Sequence, residues 1–172
     1  MARYILFTDG GLRFGVPAAA ACLIRDEYGK QLKKVASLVK APSPFDAEFE
    51  GLLLGLDTIS RMQRKTDRPT LEWYSDCQPL VLLVKKFIKT NKLPDSQHDF
   101  LRHWDELSAY LQLISLDANF SSNSKDIERC DRACRWLQKS SKKLFAKYGE
   151  GPAGKVSEGS ETLPWSIYDV RV

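Results

Sequence analysis

The sequence predicts one α/β domain in which a five-stranded mixed sheet is covered by helices. Apolar segments of strand length and amphipathic segments of helix length follow one another along the chain, and short connections join the first three strands. With 172 residues, 43% hydrophobic and 28% charged, the chain has the size and composition of a single globular domain.

The first three strands are predicted at 3–9, 18–25 and 30–39, and their short connections make them an antiparallel meander. The second strand begins with four alanines and a cysteine, so we expect large side chains to pack against it.

A helix is predicted after the Pro-Ser-Pro segment at 42–44, because apolar residues then recur at helical spacing. The residues of this buried stripe are Phe49, Leu52, Leu53, Leu56 and Ile59.

Two further strands, at 70–75 and 114–118, are predicted to extend the sheet in parallel. Helices at 79–87 and 100–111 lie between them, and Pro79 suits a first helical turn. A last helix starts near Asp126, and its expected core-facing residues are Ile127, Cys130, Cys134 and Leu137.

The predicted domain covers residues 1–146, and residues 147–172 are predicted to be a flexible C-terminal tail. The stretch 147–163 is rich in Gly, Ser and Glu, whereas 165–172 could form a short ordered end.

No apolar run is long enough to cross a bilayer, and the N-terminus has no signal-peptide pattern, so we expect a cytoplasmic protein with no membrane partner. No obligate protein partner is evident from the sequence, and a monomer is expected. The four cysteines lack zinc-site spacing and are interpreted as small buried residues in a reducing compartment. The net charge of +4 is only weak evidence for a nucleic-acid partner.

Four acidic residues stand at structural junctions that can bring them together. Asp9 and Asp76 each follow an apolar strand, Glu48 opens the first helix, and Asp131 lies early in the last helix. Clustered carboxylates repel one another unless a cation lies between them, and their hard oxygen atoms suit Mg²⁺ or Mn²⁺. The pattern therefore predicts a metal site.

Each acid also has an ordinary explanation, since a strand-end Asp often forms a turn and a first-turn Glu favours the helix dipole. Among neighbouring acids, Asp46 is interpreted as a helix cap, Asp126 as an N-cap or first-turn residue, and Glu50 should point to another side of its helix. Glu128 competes with Asp131 for the fourth position. His98 and His103 are interpreted as surface residues.

Four short motifs, in this order and on these elements, resemble type 1 ribonuclease H over residues 3–137. They are Phe-Thr-Asp-Gly-Gly at 7–11, Ala-Glu-Phe-Glu-Gly-Leu at 47–52, Tyr-Ser-Asp-Cys-Gln at 74–78 and Ile-Glu-Arg-Cys-Asp at 127–131.

The resemblance implies a ribonuclease H-like fold and an endonuclease that hydrolyses the RNA strand of RNA–DNA hybrids, leaving 5′-phosphates. By this resemblance two Mg²⁺ ions, or Mn²⁺ as an alternative, would be held by four catalytic residues with Asp9 bridging both ions. The implied catalytic and metal residues are Asp9, Glu48, Asp76 and Asp131, and the implied substrate-binding residues are Gly10, Gly11, Ser43 and Gln78.

The chain departs from that family in three loops. The segment 12–17 lacks the usual asparagine, Ser43-Pro44-Phe45 replaces a common Thr-Asn-Asn, and the loop 121–125 lacks a histidine. These departures keep two alternatives open: a catalytically weak or inactive nucleic-acid-binding module, and a nuclease of this fold with another nucleic-acid substrate.

Overall fold

The residues that the structure describes form a six-stranded sheet with four helices. A computed structural model describes residues 2–63, 68–94, 101–148 and 166–171, and for 142–148 and 166–171 it describes the backbone alone. The elements, in chain order, are β1 (Arg3–Gly11), β2 (Ala18–Asp26), β3 (Gln31–Val39), α1 (Pro44–Met62), β4 (Thr70–Ser75), α2 (Gln78–Thr90), α3 (Leu101–Leu113), β5 (Ser115–Phe120), α4 (Lys125–Tyr148) and β6 (Ser166–Arg171).

The strand order β5-β4-β1-β2-β3-β6 confirms the predicted mixed sheet. β1, β2 and β3 form the antiparallel meander, and β4 and β5 join β1 in parallel. Phe7 of β1 lies opposite Tyr74 of β4, so the residues that follow them meet at one edge of the sheet. Asp9 and Asp76 each come two residues after this pair.

A sixth strand corrects part of the predicted flexible tail. Residues 166–171 pair in parallel with β3. The Ser-Ile-Tyr-Asp-Val-Arg sequence contains three residues that favour strands, Ile, Tyr and Val, but it follows a Gly/Ser/Glu-rich stretch that favoured a flexible interpretation. The preceding part of the predicted tail, 149–165, lies outside the described residues.

Helices cover both faces of the sheet, and alternate side chains of β2 contribute to the core on each face. Its alternate residues Ala18, Ala20, Cys22 and Ile24 pack in the cluster that contains α1, α2 and α3, whereas Ala19, Ala21 and Leu23 pack against α4. As expected for a strand of small residues, bulky side chains of α1 lie against it. The predicted stripe of α1 and the core-facing residues of α4 are all buried.

α4 runs beside β1 in the same direction, one helical turn for every two strand residues. Cys130 donates through Sγ to the Phe7 carbonyl at 3.5 Å, and Cys134 donates to the Asp9 carbonyl at 3.7 Å. The Gln138 side-chain amide donates to the Gly11 carbonyl at 2.9 Å. This register sets the position of α4 relative to the end of β1.

Across the described ranges, none of the helices has the length and apolar character needed to traverse a lipid bilayer.

Candidate metal centre

Three of the four predicted acids converge where β1, α1 and β4 meet. Asp9, Glu48 and Asp76 each offer a carboxylate oxygen, and these three oxygens lie within 4.8 Å of one another. Asp9 is buried, Glu48 is half-buried and Asp76 is exposed, so the cluster faces solvent through Asp76.

Two glycines allow β1 to approach α1 closely enough to join Asp9 and Glu48. A Cβ on Gly10 would lie 2.0 Å from the carbonyl oxygen of Ala47, and one on Gly51 would lie 2.9 Å from the Asp9 carbonyl oxygen. Atoms cannot approach that closely without a shift of backbone. Gly10 therefore has a packing role that is independent of the substrate contact predicted for it.

Asp76 is positioned by the turn that follows β4. The Ser75 hydroxyl accepts a hydrogen bond from the Cys77 backbone N–H at 3.1 Å, and the Ser75 carbonyl accepts one from Ser121 at 2.9 Å. Ser75 is fully buried, so the residue before Asp76 is fixed by bonds on both sides.

Burial, and then the charge of neighbouring carboxylates, raises the pKa values of all three groups. Burial, together with the charges of Asp76 and Asp131, raises the pKa of Asp9 to about 7. Burial and the charges of Asp9 and Asp76 raise the pKa of Glu48 to about 10, and a hydrogen bond shared with Asp9 contributes. For Asp76, burial is the first cause of a raised pKa, and the charge of Asp131 adds to it.

The donor set fits a divalent cation. All three groups offer hard oxygen atoms, and Glu48 Oε2 is buried without a hydrogen-bond partner among the described residues. A cation at this position would satisfy that oxygen, and it would offset both the burial and the repulsion that raise the three pKa values.

Asp131 lines the cleft beside this cluster but does not belong to the close set of oxygens. It lines the same cleft of about 250 Å³ as Asp9 and Asp76, together with residues of the loop before α4 and the first turns of that helix. Its carboxylate forms an ion pair with Arg135 at 2.8 Å.

The competing acid Glu128 also lines this cleft, but only Asp131 raises the pKa of both Asp9 and Asp76. The electrostatic coupling therefore favours Asp131 over Glu128 as the fourth acid of the site.

The other predicted substrate contacts lie around the same edge of the sheet. Gln78 is exposed at the first residue of α2, two residues after Asp76. The Gly11 carbonyl is occupied by Gln138. Ser43 is the N-cap of α1, since its hydroxyl accepts from the Asp46 backbone N–H at 3.2 Å and donates to the Asp46 carboxylate at 2.8 Å.

The prediction that His103 is a surface residue was wrong. Its ring is 6% exposed, and its two nitrogens lie 3.0 Å from Glu50 Oε1 and 3.5 Å from Asp46 Oδ1. Arg102 also binds Glu50, and the His103 ring stacks on Phe49. These contacts join α3 to the first turns of α1. Their partners in α1, Asp46 and Glu50, lie two residues before and two residues after Glu48. His98 lies outside the described residues.

Of the remaining acids, Asp46 is not the N-cap of α1, a position that Ser43 holds, whereas Asp126 and Glu50 lie as expected. Asp126 lies in the first turn of α4 and pairs with Arg25 through two bonds of 2.8 Å, while Ser124 Oγ accepts the capping bond from Ile127. Glu50 points away from Glu48, toward α3.

Sequence reasoning missed the ion pair of Arg135 with Asp131 and the hydrogen bonds of Gln138. Arg135 follows Asp131 by four residues, a spacing at which opposite charges meet on a helix, so that signal was available. For Gln138 the signal was absent, since its role depends on the register between α4 and β1.

The amino-acid sequence matches no protein-family model and no curated protein, whereas many solved structures resemble the fold. The N-terminal RNase H domain of rv2228c from Mycobacterium tuberculosis is 14% identical with a TM-score of 0.67, and the match covers 84% of this chain and 99% of that one.

Two further structures agree. The ribonuclease H1 of the halophilic archaeon Halobacterium salinarum is 18% identical with a TM-score of 0.63, covering 80% of this chain and 98% of that one. LC11 ribonuclease H1, solved in complex with an RNA/DNA hybrid, is 21% identical with a TM-score of 0.62 and the same coverages. With the acidic cluster at the joined ends of β1 and β4, these likenesses show that the chain has the fold of type 1 ribonuclease H.

Proposed function

We propose that the protein is a metal-dependent endoribonuclease that hydrolyses the RNA strand of RNA–DNA hybrids. The observation that supports this most is the convergence of Asp9, Glu48 and Asp76 within 4.8 Å on a ribonuclease H fold. We further propose that it acts as a monomer in the cytoplasm, a reducing compartment in which its free cysteines persist.

In this proposal Asp9, Glu48, Asp76 and Asp131 hold two divalent cations, Mg²⁺ or Mn²⁺. When bound, such cations activate a water for attack on phosphorus and neutralise the leaving 3′ oxygen. The residues supply a rigid, negatively charged site, because Asp9 lies on a central strand and Glu48 lies on a helix that packs closely against that strand.

The protein's other contributions concern position and charge. Gln78, exposed beside Asp76, contacts the nucleic acid, and Gly10 and Gly11 bring the backbone close to it. Recognition by backbone shape and 2′-hydroxyl groups, without reading of sequence, suits an enzyme that must accept any hybrid.

A non-catalytic nucleic-acid-binding module is the second candidate. It is favoured by the loop 121–125 before α4, which lacks the histidine that the resembled family usually carries there. The commitment of Ser43 to a helix cap and of the Gly11 carbonyl to Gln138 removes expected substrate contacts for either candidate. A nuclease with another nucleic-acid substrate is the remaining alternative.

The three candidates are separated by a substrate panel and paired variants. We expect Mg²⁺-dependent cleavage of an RNA–DNA hybrid, with neither RNA duplex nor DNA duplex cut. Asp76→Asn and Asp131→Asn should reduce cleavage at least 100-fold, whereas Glu128→Gln, on the rim of the same cleft, should retain it. Tight hybrid binding without cleavage would support the binding module, and cleavage of another duplex would support the third candidate.

A further inference from the structure

The segment of α1 that carries Glu48 packs against β1 on one side. Gly10 of β1 lies against the Ala47 carbonyl, and Gly51, one helical turn later, lies against the Asp9 carbonyl. These contacts set the distance between the helix and the strand, but a cylinder that touches a sheet along one line can still roll on it. A second contact is needed to fix the direction in which the Glu48 side chain points.

His103 of α3 supplies a contact of this kind. Its ring bridges two acids of α1 that are one helical turn apart, with Nε2 3.0 Å from Glu50 Oε1 and Nδ1 3.5 Å from Asp46 Oδ1. The ring also stacks on Phe49, with 5.1 Å between the ring centroids. His103 thus contacts three residues that lie within two positions of Glu48.

Together the two contacts fix the rotation of α1 about its own axis. Successive residues of a helix are about 100° apart, so Asp46 and Glu50 share one face and the residues that pack on β1 share another. Glu48 projects in a third direction. Its carboxylate can extend about 6 Å from the helix axis, so a rotation of about 10° moves it by about 1 Å. Metal–ligand distances tolerate only about 0.2 Å.

The polar character of the His103 contact favours a role in positioning. Asp46 and Glu50 are each 1% exposed, and Arg102 also binds Glu50. Apolar side chains of similar volume often join buried surfaces at least as strongly as buried charged groups do. Apolar contacts would permit several rotations of α1, however, whereas a ring bonded to two carboxylates one turn apart permits one.

We propose that His103 is a positioning residue of the candidate metal centre. By bridging Asp46 and Glu50 it holds the Glu48 carboxylate within reach of the other two acids of the cluster, and it acts through the backbone of α1. This inference deepens the proposed function and rests on it for the presence of the cation.

The test measures the Kd for Mn²⁺ by isothermal titration calorimetry with the metal-free full chain, after circular dichroism has verified that each variant is folded. His103→Leu keeps an apolar side chain against Phe49 but removes both hydrogen bonds. We expect it to weaken Mn²⁺ binding about tenfold, the lower end of the effect of residues that orient metal ligands from outside the coordination sphere.

Two polar replacements complete the series at this position. His103→Gln keeps an N–H donor that reaches Glu50, so its Kd should return to within about threefold of wild type. His103→Asn keeps a polar group but is too short to reach Glu50. It should weaken Mn²⁺ binding in the same direction as His103→Leu, and it provides the test if His103→Leu does not fold.

Two further variants of α3 separate position from stability. Tyr110→Phe removes the 3.2 Å hydrogen bond from the Tyr110 hydroxyl to Asp57, which joins the same two helices nine residues beyond Glu48. Leu107→Ala removes a fully buried side chain one turn after His103, so it should lower the urea midpoint about as much as His103→Leu. Both should leave the Kd for Mn²⁺ within about twofold of wild type.

Equal Kd values for wild type and the His103→Leu or His103→Asn variant would overturn the inference, as would an equal loss of affinity in Leu107→Ala or a His103→Gln variant as weak as His103→Leu. Hybrid cleavage is assayed separately. Cleavage by wild type in any of these cases leaves the proposed function standing. Mn²⁺ binding that depends on His103 in a wild type that cleaves no hybrid contradicts the proposed function and leaves the inference standing, whereas wild type that binds no Mn²⁺ overturns both.

Discussion

Arg135 holds Asp131 at the rim of the candidate metal centre, with 2.8 Å between Nη2 and Oδ2. The pair is one helical turn apart on α4, and both residues line the cleft that contains Asp9 and Asp76. Because Asp131 raises the pKa values of Asp9 and Asp76, the guanidinium neutralises part of the charge that a cation would otherwise meet.

Removal of Arg135 should therefore strengthen cation binding. Both side chains are about half exposed, so the effect is limited to the range of a surface ion pair, about 0.2–1 kcal/mol, or roughly 1.5- to 5-fold in affinity. Calorimetric titration of Arg135→Ala with Mn²⁺ measures it, and Arg132→Ala, an exposed arginine of the same helix, is the control. Weaker Mn²⁺ binding by Arg135→Ala would contradict this account of the ion pair.

Gly10 and Gly11 are adjacent in sequence, but substitution by alanine should affect stability and cation binding differently at the two positions. The Cβ of Gly10→Ala would lie 2.0 Å from the Ala47 carbonyl, whereas the nearest atom to a Gly11 Cβ is 3.7 Å away, in the side chain of Gln138. We expect Gly10→Ala to reduce the free energy of unfolding by about 3 kcal/mol or more and to separate Asp9 from Glu48. Urea unfolding and cation titration of both variants test this, and equal behaviour of the two would show that the contact is not restrictive.

His103→Ala should destabilise the domain strongly, because it leaves two buried carboxylates without their shared partner. Asp46 and Glu50 are each 1% exposed, but Asp46 keeps Ser43 and Glu50 keeps Arg102, so we expect a cost of about 2–3 kcal/mol for the lost buried partner. Arg102→Ala, which removes a side chain that is 56% exposed from the same Glu50, should cost about 1 kcal/mol. Thermal unfolding of both variants tests this expectation that His103→Ala is the more destabilising. A larger loss of stability in Arg102→Ala would show that Arg102 is the main partner of Glu50.

The ion pair between Arg25 and Asp126 predicts a pH-dependent contribution to stability. The two hydrogen bonds from Arg25 hold the pKa of Asp126 below its usual range and outweigh the effect of burial. A carboxylate with a lowered folded pKa stabilises the fold above its unfolded pKa, near 4, and this contribution is lost as the pH falls through the folded value.

Asp126→Asn should thus reduce the free energy of unfolding by about 1–2 kcal/mol at pH 7, and this difference from wild type should become smaller below about pH 4. Urea unfolding across pH 3–7 measures it, with the exposed Glu128→Gln as the control. A difference that persists unchanged at pH 3 would contradict the assignment.

The central part of the fold could be predicted from the sequence because local patterns coincide with tertiary requirements. The helical spacing from Phe49 to Ile59 and the strand-end positions of Asp9 and Asp76 each specify one element and one face. The order of the strands then brings the acids together. The resemblance of four short motifs was therefore sufficient to predict that Asp9, Glu48 and Asp76 lie close to one another.

Other features depend on contacts between distant segments. The burial of His103 is set by Asp46 and Glu50, more than fifty residues earlier, and a histidine beside Arg102 looks like a surface residue by composition. Its helical spacing to Leu107 was a signal for a buried face that composition obscured. The Gln138 bonds and the pairing of β6 with β3 depend on register, which no local pattern specifies.

The central claim is that Asp9 belongs to a metal site that cleaves RNA, and one assay tests it most directly. An end-labelled RNA–DNA hybrid is incubated with wild type and Asp9→Asn in Mg²⁺, in Mn²⁺ and with chelator. Asp9→Asn removes a charge from a repulsive cluster, so it should remain folded in the absence of metal, as circular dichroism would verify. We predict RNA-strand cleavage by wild type that requires the metal and is lost in Asp9→Asn; cleavage retained in folded Asp9→Asn, or no cleavage by folded wild type with either metal, would contradict the account.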